Sequence, residues 1–470
     1  MYSYKTYEQI KQLLTEHGQS HLLMFWDQLD SDQKQKLLEQ IQDLNFIKID
    51  RWIDQFIKNY QPHTLSNNFT QAPSYKPADA EKARKYAEAT ELGKKLISDG
   101  KVAAFVVAGG QGTRLGFDGP KGNFPISPVK KKTLFQIFAE TIAAVSKKYR
   151  TICPWYVMTS PLNYSQTVKV FERNNYYGLG KDNVFIFQQG VLPNFSKDGK
   201  ILLAEKSKIS SSPDGHGGSL KALNRSGALK DMRKRGVEYI SYWQVDNSLI
   251  NIFDPLFIGL HVLDEAEMSS KALVKTGPKE KIGNFCLIDG KVNVIEYSDM
   301  PDHLAEKQNP DGSLVFELGS IAIHIINREF VEKLTVDDLS LPLHRAEKKI
   351  SRIDEKGNPV ESEGIKLETF VFDALPLASK SIILQTLRDQ EFAPAKNAIG
   401  VDSAESARQM NIDRAAGWLE SAGVAIPRKT DGSVDCLIEI APSFALNSEE
   451  VKTKLAQIPQ IKLGDEIYLA

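Results

Sequence analysis

Apolar residues along this chain follow three successive patterns. Up to residue 98 they recur at helical spacing. Leu37, Leu38, Ile41 and Leu44 share one face after the start signal Asp30-Ser31-Asp32, and Ile49, Trp52, Ile53, Phe56 and Ile57 make a second stripe. No period-two run interrupts them, so the region predicts helices and no strands. The stretch from Gln61 to Ala78, rich in Pro, Asn and Ser, reads as a linker or long loop, and a helix from Ala80 to Ser98 stops at Asp99-Gly100.

From Val102 short apolar runs alternate with amphipathic ones. Strands are expected at Val102–Val107, Trp155–Thr159, Val184–Gln188 and Tyr239–Val245, with helices at Leu162–Asn174 and Ser219–Arg235. This βαβ rhythm predicts the α/β class: a doubly wound, mostly parallel, Rossmann-like sheet whose ligands sit beyond the carboxyl ends of the strands. After Leu387 the rhythm weakens into short strands such as Val434–Ile440 and one helix, Ser403–Ala422, which reads as a small α+β region. The expected domains are therefore a helical one over 1–98, a large α/β one over 99–387 and a small α+β one over 388–470.

Composition narrows the partners. Lys and Arg number 59 against 60 Asp and Glu in 470 residues, so no global field recruits nucleic acid or an anionic membrane, and any phosphate affinity is local. No apolar run approaches the ~20 residues of a membrane span, and the N-terminus lacks the basic and apolar regions of a signal peptide. Cys153, Cys286 and Cys436 are isolated, without metal spacing, which fits a reducing compartment. The expected location is the cytoplasm; the oligomeric state stays open.

The chemistry concentrates where the strand at Val102–Val107 empties into Gly109, Gly110, Gly112 and Gly116. Glycines let main-chain N–H groups approach a phosphate, and Arg114 and Lys121 add a planar fork and a mobile point charge to the same loop. Two familiar glycine loops do not fit. A P-loop needs G-x-x-x-x-G-K-[ST], but Lys121 is followed by Gly122, and the dinucleotide fingerprint fails because Leu115 stands where its third glycine belongs.

The loop does resemble the signature of the UTP-dependent sugar-1-phosphate uridylyltransferases, L/V-x-x-G-G-x-G-T-R-L-G followed by P-K-G. It stands complete from Val107-Ala108-Gly109-Gly110-Gln111-Gly112-Thr113-Arg114-Leu115-Gly116 to Pro120-Lys121-Gly122. The resemblance implies nucleotide binding by Ala108, Gly109, Gly110, Gly112 and Thr113, and catalytic roles for Arg114 and Lys121. In Phe187-Gln188-Gln189-Gly190 a glutamine carries the donor and acceptor that a uracil edge requires, and the resemblance assigns that contact to Gln189. Ser212-Pro213-Asp214-Gly215-His216-Gly217-Gly218-Ser219 opens a helix whose amides face a base or phosphate, with Gly215 at the nucleotide and His216 donating to a sugar-phosphate oxygen. Tyr242-Trp243-Gln244-Val245-Asp246-Asn247 ends a strand on a carboxylate. Mg²⁺ takes one or two carboxylates beside substrate phosphates, so Asp246 is the expected metal residue, and Asn247 is expected at the sugar phosphate; an aspartate capping the next turn is the plainer alternative.

Later segments look like the eukaryotic-type UDP-N-acetylhexosamine pyrophosphorylases: Val294-Ile295-Glu296-Tyr297, Glu317-Leu318-Gly319-Ser320-Ile321-Ala322-Ile323-His324, Leu343-His344-Arg345, Gly364-Ile365-Lys366-Leu367 and Glu391-Phe392-Ala393-Pro394-Ala395-Lys396-Asn397. By this resemblance Glu296, Gly319, Ser320 and Lys366 contact the sugar phosphate and Lys396 reaches the phosphates. The implied reaction joins UTP and a sugar 1-phosphate, first of all N-acetylglucosamine 1-phosphate, into a UDP-sugar and pyrophosphate with Mg²⁺. One departure counts against the N-acetyl sugar. The N-acetylhexosamine enzymes carry Gly-Asn-Ile-Ala-Asn-His where this chain has Ser320 in place of the first asparagine, and a serine cannot span the same donor and acceptor. With His216, which the UDP-glucose enzymes share, this keeps glucose 1-phosphate or several sugars as the alternative. A non-catalytic nucleotide-sugar sensor is the more distant one.

Overall fold

A computed structural model describes residues 6–61, 68–336 and 341–470. Its contacts divide the chain into two units: 1–65 with 190–218 and 341–371, and 66–189 with 219–340 and 372–470.

The second unit is built on one mixed sheet. Its strands are β1 (Phe69–Thr70), β2 (Val102–Val107), β3 (Trp155–Thr159), β4 (Val184–Gln188), β5 (Tyr239–Gln244), β6 (Met268–Val274), β7 (Gly283–Ile288), β8 (Lys291–Ile295), β9 (Leu318–Asn327) and β10 (Ile383–Gln385). The order is β1-β7-β9-β5-β2-β3-β4, with β6 paired to β9 and β10, and β8 to β7. The block β5-β2-β3-β4 is parallel, as the alternation predicts, and the α/β class is borne out. Beyond β5 the large sheet continues through antiparallel pairs, apart from the parallel pair β6–β10. Phe105, Trp155, Tyr156, Tyr242 and Trp243 are fully buried in the parallel block. Each such side chain contributes about 2–3 kcal/mol of transfer free energy, which makes this block the rigid floor of the site.

Helix α1 (Ala83–Ser98) belongs to this unit, not to the helices before it. Gly93 and Gly259 let it press against α4 (Pro255–Leu263): a Cβ on Gly93 would collide with the Pro255 carbonyl, and one on Gly259 with the Ala89 carbonyl. Between them in sequence lie α2 (Leu134–Tyr149), capped by Thr133, and α3 (Tyr164–Arg173). The helix expected over Ser219–Arg235 is two, Gly218–Arg225 and Ala228–Arg235, broken where Gly227 takes φ +83°. Helix α5 (Ala404–Ser421), capped by Ser403, packs Ile412, Ala416 and Leu419 with Ile438, Phe444, Val451 and Leu469 in a small cluster of its own. The expected strand at Val434–Ile440 is shorter, Leu437–Ile440, and pairs in parallel with Glu466–Leu469.

In the first unit helices Tyr7–Glu16, Ser31–Gln42 and Phe46–Ile53 bury Ile10, Leu14, Leu37, Ile41, Ile49 and Ile53. Their partners are Phe195, Ile201, Ile365 and Leu367, from two later segments. The apolar stripes are thus core positions of a unit assembled from three stretches of chain, where the sequence reading expects one domain over 1–98. A strand also occurs where none is expected: β1 pairs with β7, and Tyr75 bridges Leu384. Residues 62–67 of the expected loop lie outside the described residues.

Candidate active site

In the parallel block Val107 lies beside Met158 and Gln244, and Thr159 beside Gln188, so β2, β3, β4 and β5 end at one edge. Whatever follows those residues is delivered there. After β2 comes the glycine loop, after β4 Gln189, and after β5 Asp246.

The loop is a folded object with a purpose for its glycines. Ala108 N–H extends the ladder to Met158 O at 2.7 Å. Buried Asn163 then donates from Nδ2 to the carbonyls of Ala108 (2.9 Å) and Gly110 (3.1 Å), while its Oδ1 accepts from Ser160 N–H. A Cβ on Gly109 would run into Gln189 Oε1, so only glycine lets the glutamine amide lie against the loop. Gln189 itself is 8% exposed, whereas Gln188 points outward. Farther along, Gly112 N–H bonds to Gly119 O (2.9 Å) and Lys121 N–H to Gly110 O (3.0 Å), folding the loop back on itself. Thr113, Arg114 and Leu115 form the 3₁₀ turn at its tip, with Thr113 and Arg114 exposed. Lys121 returns beside the loop's start.

Across from the loop, Asp246 is 8% exposed and its carbonyl accepts from Ala395 N–H at 3.0 Å. That bond brings Lys396 Nζ to 4.0 Å from the Asp246 carboxylate. Burial lowers the Lys121 ammonium from its ordinary value; the Asp246 charge opposes this, and the Lys396 and Arg114 charges add to it. Lys121 therefore stands among one carboxylate, Asp246, and two further cations, Lys396 and Arg114. Such a set is relieved by a polyanion. Among the described residues no group of three or more His, Cys, Asp and Glu is placed to hold a metal ion. Asp246 supplies one carboxylate, which is the share Mg²⁺ takes from protein when phosphates supply the rest.

Asn247, expected at the sugar phosphate, is used differently. It is 3% exposed, its Nδ2 donates to Glu391 O at 2.7 Å, and its Oδ1 accepts from Ala393 N–H at 2.9 Å and Leu249 N–H at 3.3 Å. It clamps the segment that carries Lys396. On the other strands β9 runs antiparallel to β5, with His324 opposite Tyr242, so its start at Leu318–Ser320 lies at the same edge as Asp246. Ser320 pairs with Gly283, and a Cβ on Gly283 would point to Val294 and toward Glu296 Oε1. Ser320, Gly283 and Glu296 thus share one face of the sheet. Gly319 presents the opposite face, where a side chain would strike Ile282.

Gly215, His216 and Lys366 belong to the first unit. There Gly215 (φ +83°) packs on Thr369, Thr369 N–H bonds to Asp214 O, and Gly217 N–H to Thr369 O. The amides of Gly217 and Gly218, expected to face a ligand, donate instead to Thr369 O and Gly215 O. His216 stacks on Phe370 at 5.2 Å and its Nδ1 accepts from Val371 N–H at 3.1 Å. Burial, with His344 nearby, holds it neutral down to about 4, so the proton sits on Nε2. Lys366 pairs with Ala346 in the hairpin of strands His344–Ile353 and Pro359–Glu368.

Sequence reasoning missed Asn163 and Gly283. The first is visible only as a polar residue three after Ser160, the spacing of a side chain bonding back to a turn; the second only as a glycine opening a strand.

A family model described as UTP–glucose-1-phosphate uridylyltransferase matches residues 51–469. The chain belongs to this uridylyltransferase family. The UDP-N-acetylglucosamine pyrophosphorylase of Saccharomyces cerevisiae is 33% identical over 467 residues, 94% of this chain and 96% of that protein. The UDP-N-acetylhexosamine pyrophosphorylase-like protein 1 of Homo sapiens is 34% identical, covering 95% of this chain and 94% of that one. Among solved structures, the uridine diphosphate N-acetylglucosamine pyrophosphorylase from Trypanosoma brucei in complex with inhibitor matches with a TM-score of 0.82 at 26% identity, over 98% of this chain and 97% of that chain. The protein is accordingly a nucleotidyltransferase of the UDP-sugar pyrophosphorylase class.

Proposed function

We propose that the protein transfers uridylyl from UTP to a sugar 1-phosphate, first of all N-acetylglucosamine 1-phosphate, at the edge formed by the glycine loop, Gln189, Asp246 and Lys396. A sugar-phosphate oxygen attacks the α-phosphorus, a new P–O bond forms in line with the breaking one, and pyrophosphate leaves with the electron pair. The attacking phosphate is ionised near neutral pH, so no protein nucleophile is needed. Catalysis reduces to aligning two anions that repel each other and neutralising charge as it develops.

The observation that carries this reading is Lys121 in the combined field of the Asp246 carboxylate and the Lys396 and Arg114 cations, with Lys396 Nζ 4.0 Å from Asp246. Gln189 reads the uracil edge with the loop backbone pressed against it, Arg114 and Lys121 hold the phosphates, and Lys396 faces them from the Asp246 side. Asp246, with the substrate phosphates, would hold Mg²⁺, which would supply charge neutralisation at the pyrophosphate. Glu296 and Ser320 receive the sugar, with Gly319 beside them.

Ser320 favours a second reading, in which glucose 1-phosphate is used as well or instead, because its hydroxyl replaces an amide. Incubating the protein with UTP, Mg²⁺ and a panel of sugar 1-phosphates while following pyrophosphate separates the two. N-acetylglucosamine 1-phosphate should give the highest kcat/KM; a higher value with glucose 1-phosphate would favour the second reading. The isolated, buried cysteines fit a cytoplasmic enzyme, and among the described residues no helix is long and apolar enough to cross a membrane.

A further inference from the structure

Lys271 stands in the middle of β6 and is 1% exposed, a position where a lysine is costly. Its Nζ donates to both Glu391 oxygens, at 2.5 and 2.6 Å, lies 2.6 Å from Asp254 Oδ2, and sits 5.5 Å over the Phe257 ring. Burial alone would lower this ammonium; the Asp254 and Glu391 carboxylates outweigh it, raising it and keeping it charged.

The two carboxylates are not near neighbours in sequence, and their chain positions give the lysine its meaning. Asp254 ends the segment that descends from Asp246, and its other oxygen caps α4 by accepting from Leu256 N–H at 3.0 Å. Glu391 begins the segment that rises to Lys396. Between these segments run several rungs: Asn247 Nδ2 to Glu391 O, Ala393 N–H to Asn247 Oδ1, Ser248 N–H and Oγ to Ala393 O, and Ala395 N–H to Asp246 O. Arg414 adds a hold from α5, donating to Leu249 O at 2.8 Å and Gln390 O at 3.2 Å. Lys271 closes the ladder at the end away from the phosphates, and Asp246 and Lys396 stand at its open end.

We infer that Lys271 is a positioning residue that fixes the Asp246–Lys396 pair by tying Asp254 to Glu391. The inference rests on the uridylyl-transfer reading for what the pair does, and on the ladder alone for how the pair is held. Without the lysine, two buried carboxylates lose their shared cation, the segments part, and the 4.0 Å spacing at the site relaxes. A displacement of about 1 Å at such a pair costs on the order of a hundredfold in rate.

The test uses the full chain as Lys271→Gln and as the neutral set Lys271→Met, Asp254→Asn, Glu391→Gln, which removes all three charges of the cluster together and keeps the fold if the single variant does not. Far-UV circular dichroism and melting report the fold, and calorimetry reports UTP affinity without metal and with Mg²⁺. A folded variant is expected to bind metal-free UTP within about twofold of wild type, to lose about tenfold of the affinity gained on adding Mg²⁺, and to fall about 10- to 100-fold in kcat with little change in KM for the sugar phosphate. A folded variant with wild-type kcat and the full Mg²⁺ gain would overturn the role. If the wild-type protein released no pyrophosphate with any sugar, the functional reading would fail, and the Mg²⁺-dependent UTP affinity of the variants would still decide the role of Lys271.

Discussion

Lys121 is the residue on which the chemistry is most concentrated, since its lowered ammonium lies in the field of Asp246, Lys396 and Arg114 together. Lys121→Ala should lower kcat by a hundredfold or more, about 3 kcal/mol of transition-state stabilisation, with an unchanged circular dichroism spectrum. Ser320 bears on the sugar. If its hydroxyl is what weakens the N-acetyl preference, Ser320→Asn should raise the ratio of kcat/KM for N-acetylglucosamine 1-phosphate over glucose 1-phosphate by about tenfold or more, measured by competition. The loop residues were legible because their motif is local: Gly109 to Lys121 lie within one turn of chain and each has a chemical reason to be there. The Asp246–Lys396 pairing was not legible from spacing, because Asn247 and Glu391 are 144 residues apart and meet through backbone bonds and a buried lysine that sequence periodicity does not mark.

At the scale of elements, the parallel block was readable from its apolar runs, while the strands after β5 were not, since antiparallel β7, β8 and β9 alternate irregularly and β9 carries a register shift opposite Ser270 and Ala272, with Ala322 at φ +53°. That irregularity lies next to Ser320, where a bulge can re-aim a side chain. The α1–α4 contact was equally hidden, because Gly93 and Gly259 read as helix weakeners until their backbones are seen to touch. Gly259→Ala should force α4 away from the Ala89 carbonyl of α1 and cost about 1–3 kcal/mol, seen as a lower melting temperature.

At the scale of the molecule, the N-terminal stripes were legible and their partners were not. Leu37 and Ile41 announce a buried face, but nothing in them says that Phe195 and Ile365 complete it. Stability of the whole should also carry a histidine signature. Burial holds His261, bonded to Ser269 and Asn327, at about 4 against an ordinary 6.5, and His216 likewise. The unfolded chain takes up protons that the folded one refuses, so stability is complete above pH 6.5 and falls as pH drops from there toward 4. The urea midpoint should therefore decrease between pH 7 and pH 5; a flat or rising midpoint would contradict it. The central claim is uridylyl transfer, and it is tested most directly with UTP labelled at the α-phosphorus, Mg²⁺ and N-acetylglucosamine 1-phosphate. Label should pass into the UDP-sugar in step with pyrophosphate release, and at least a hundredfold more slowly with Lys121→Ala. No transfer to any sugar 1-phosphate by the wild-type protein would contradict the account.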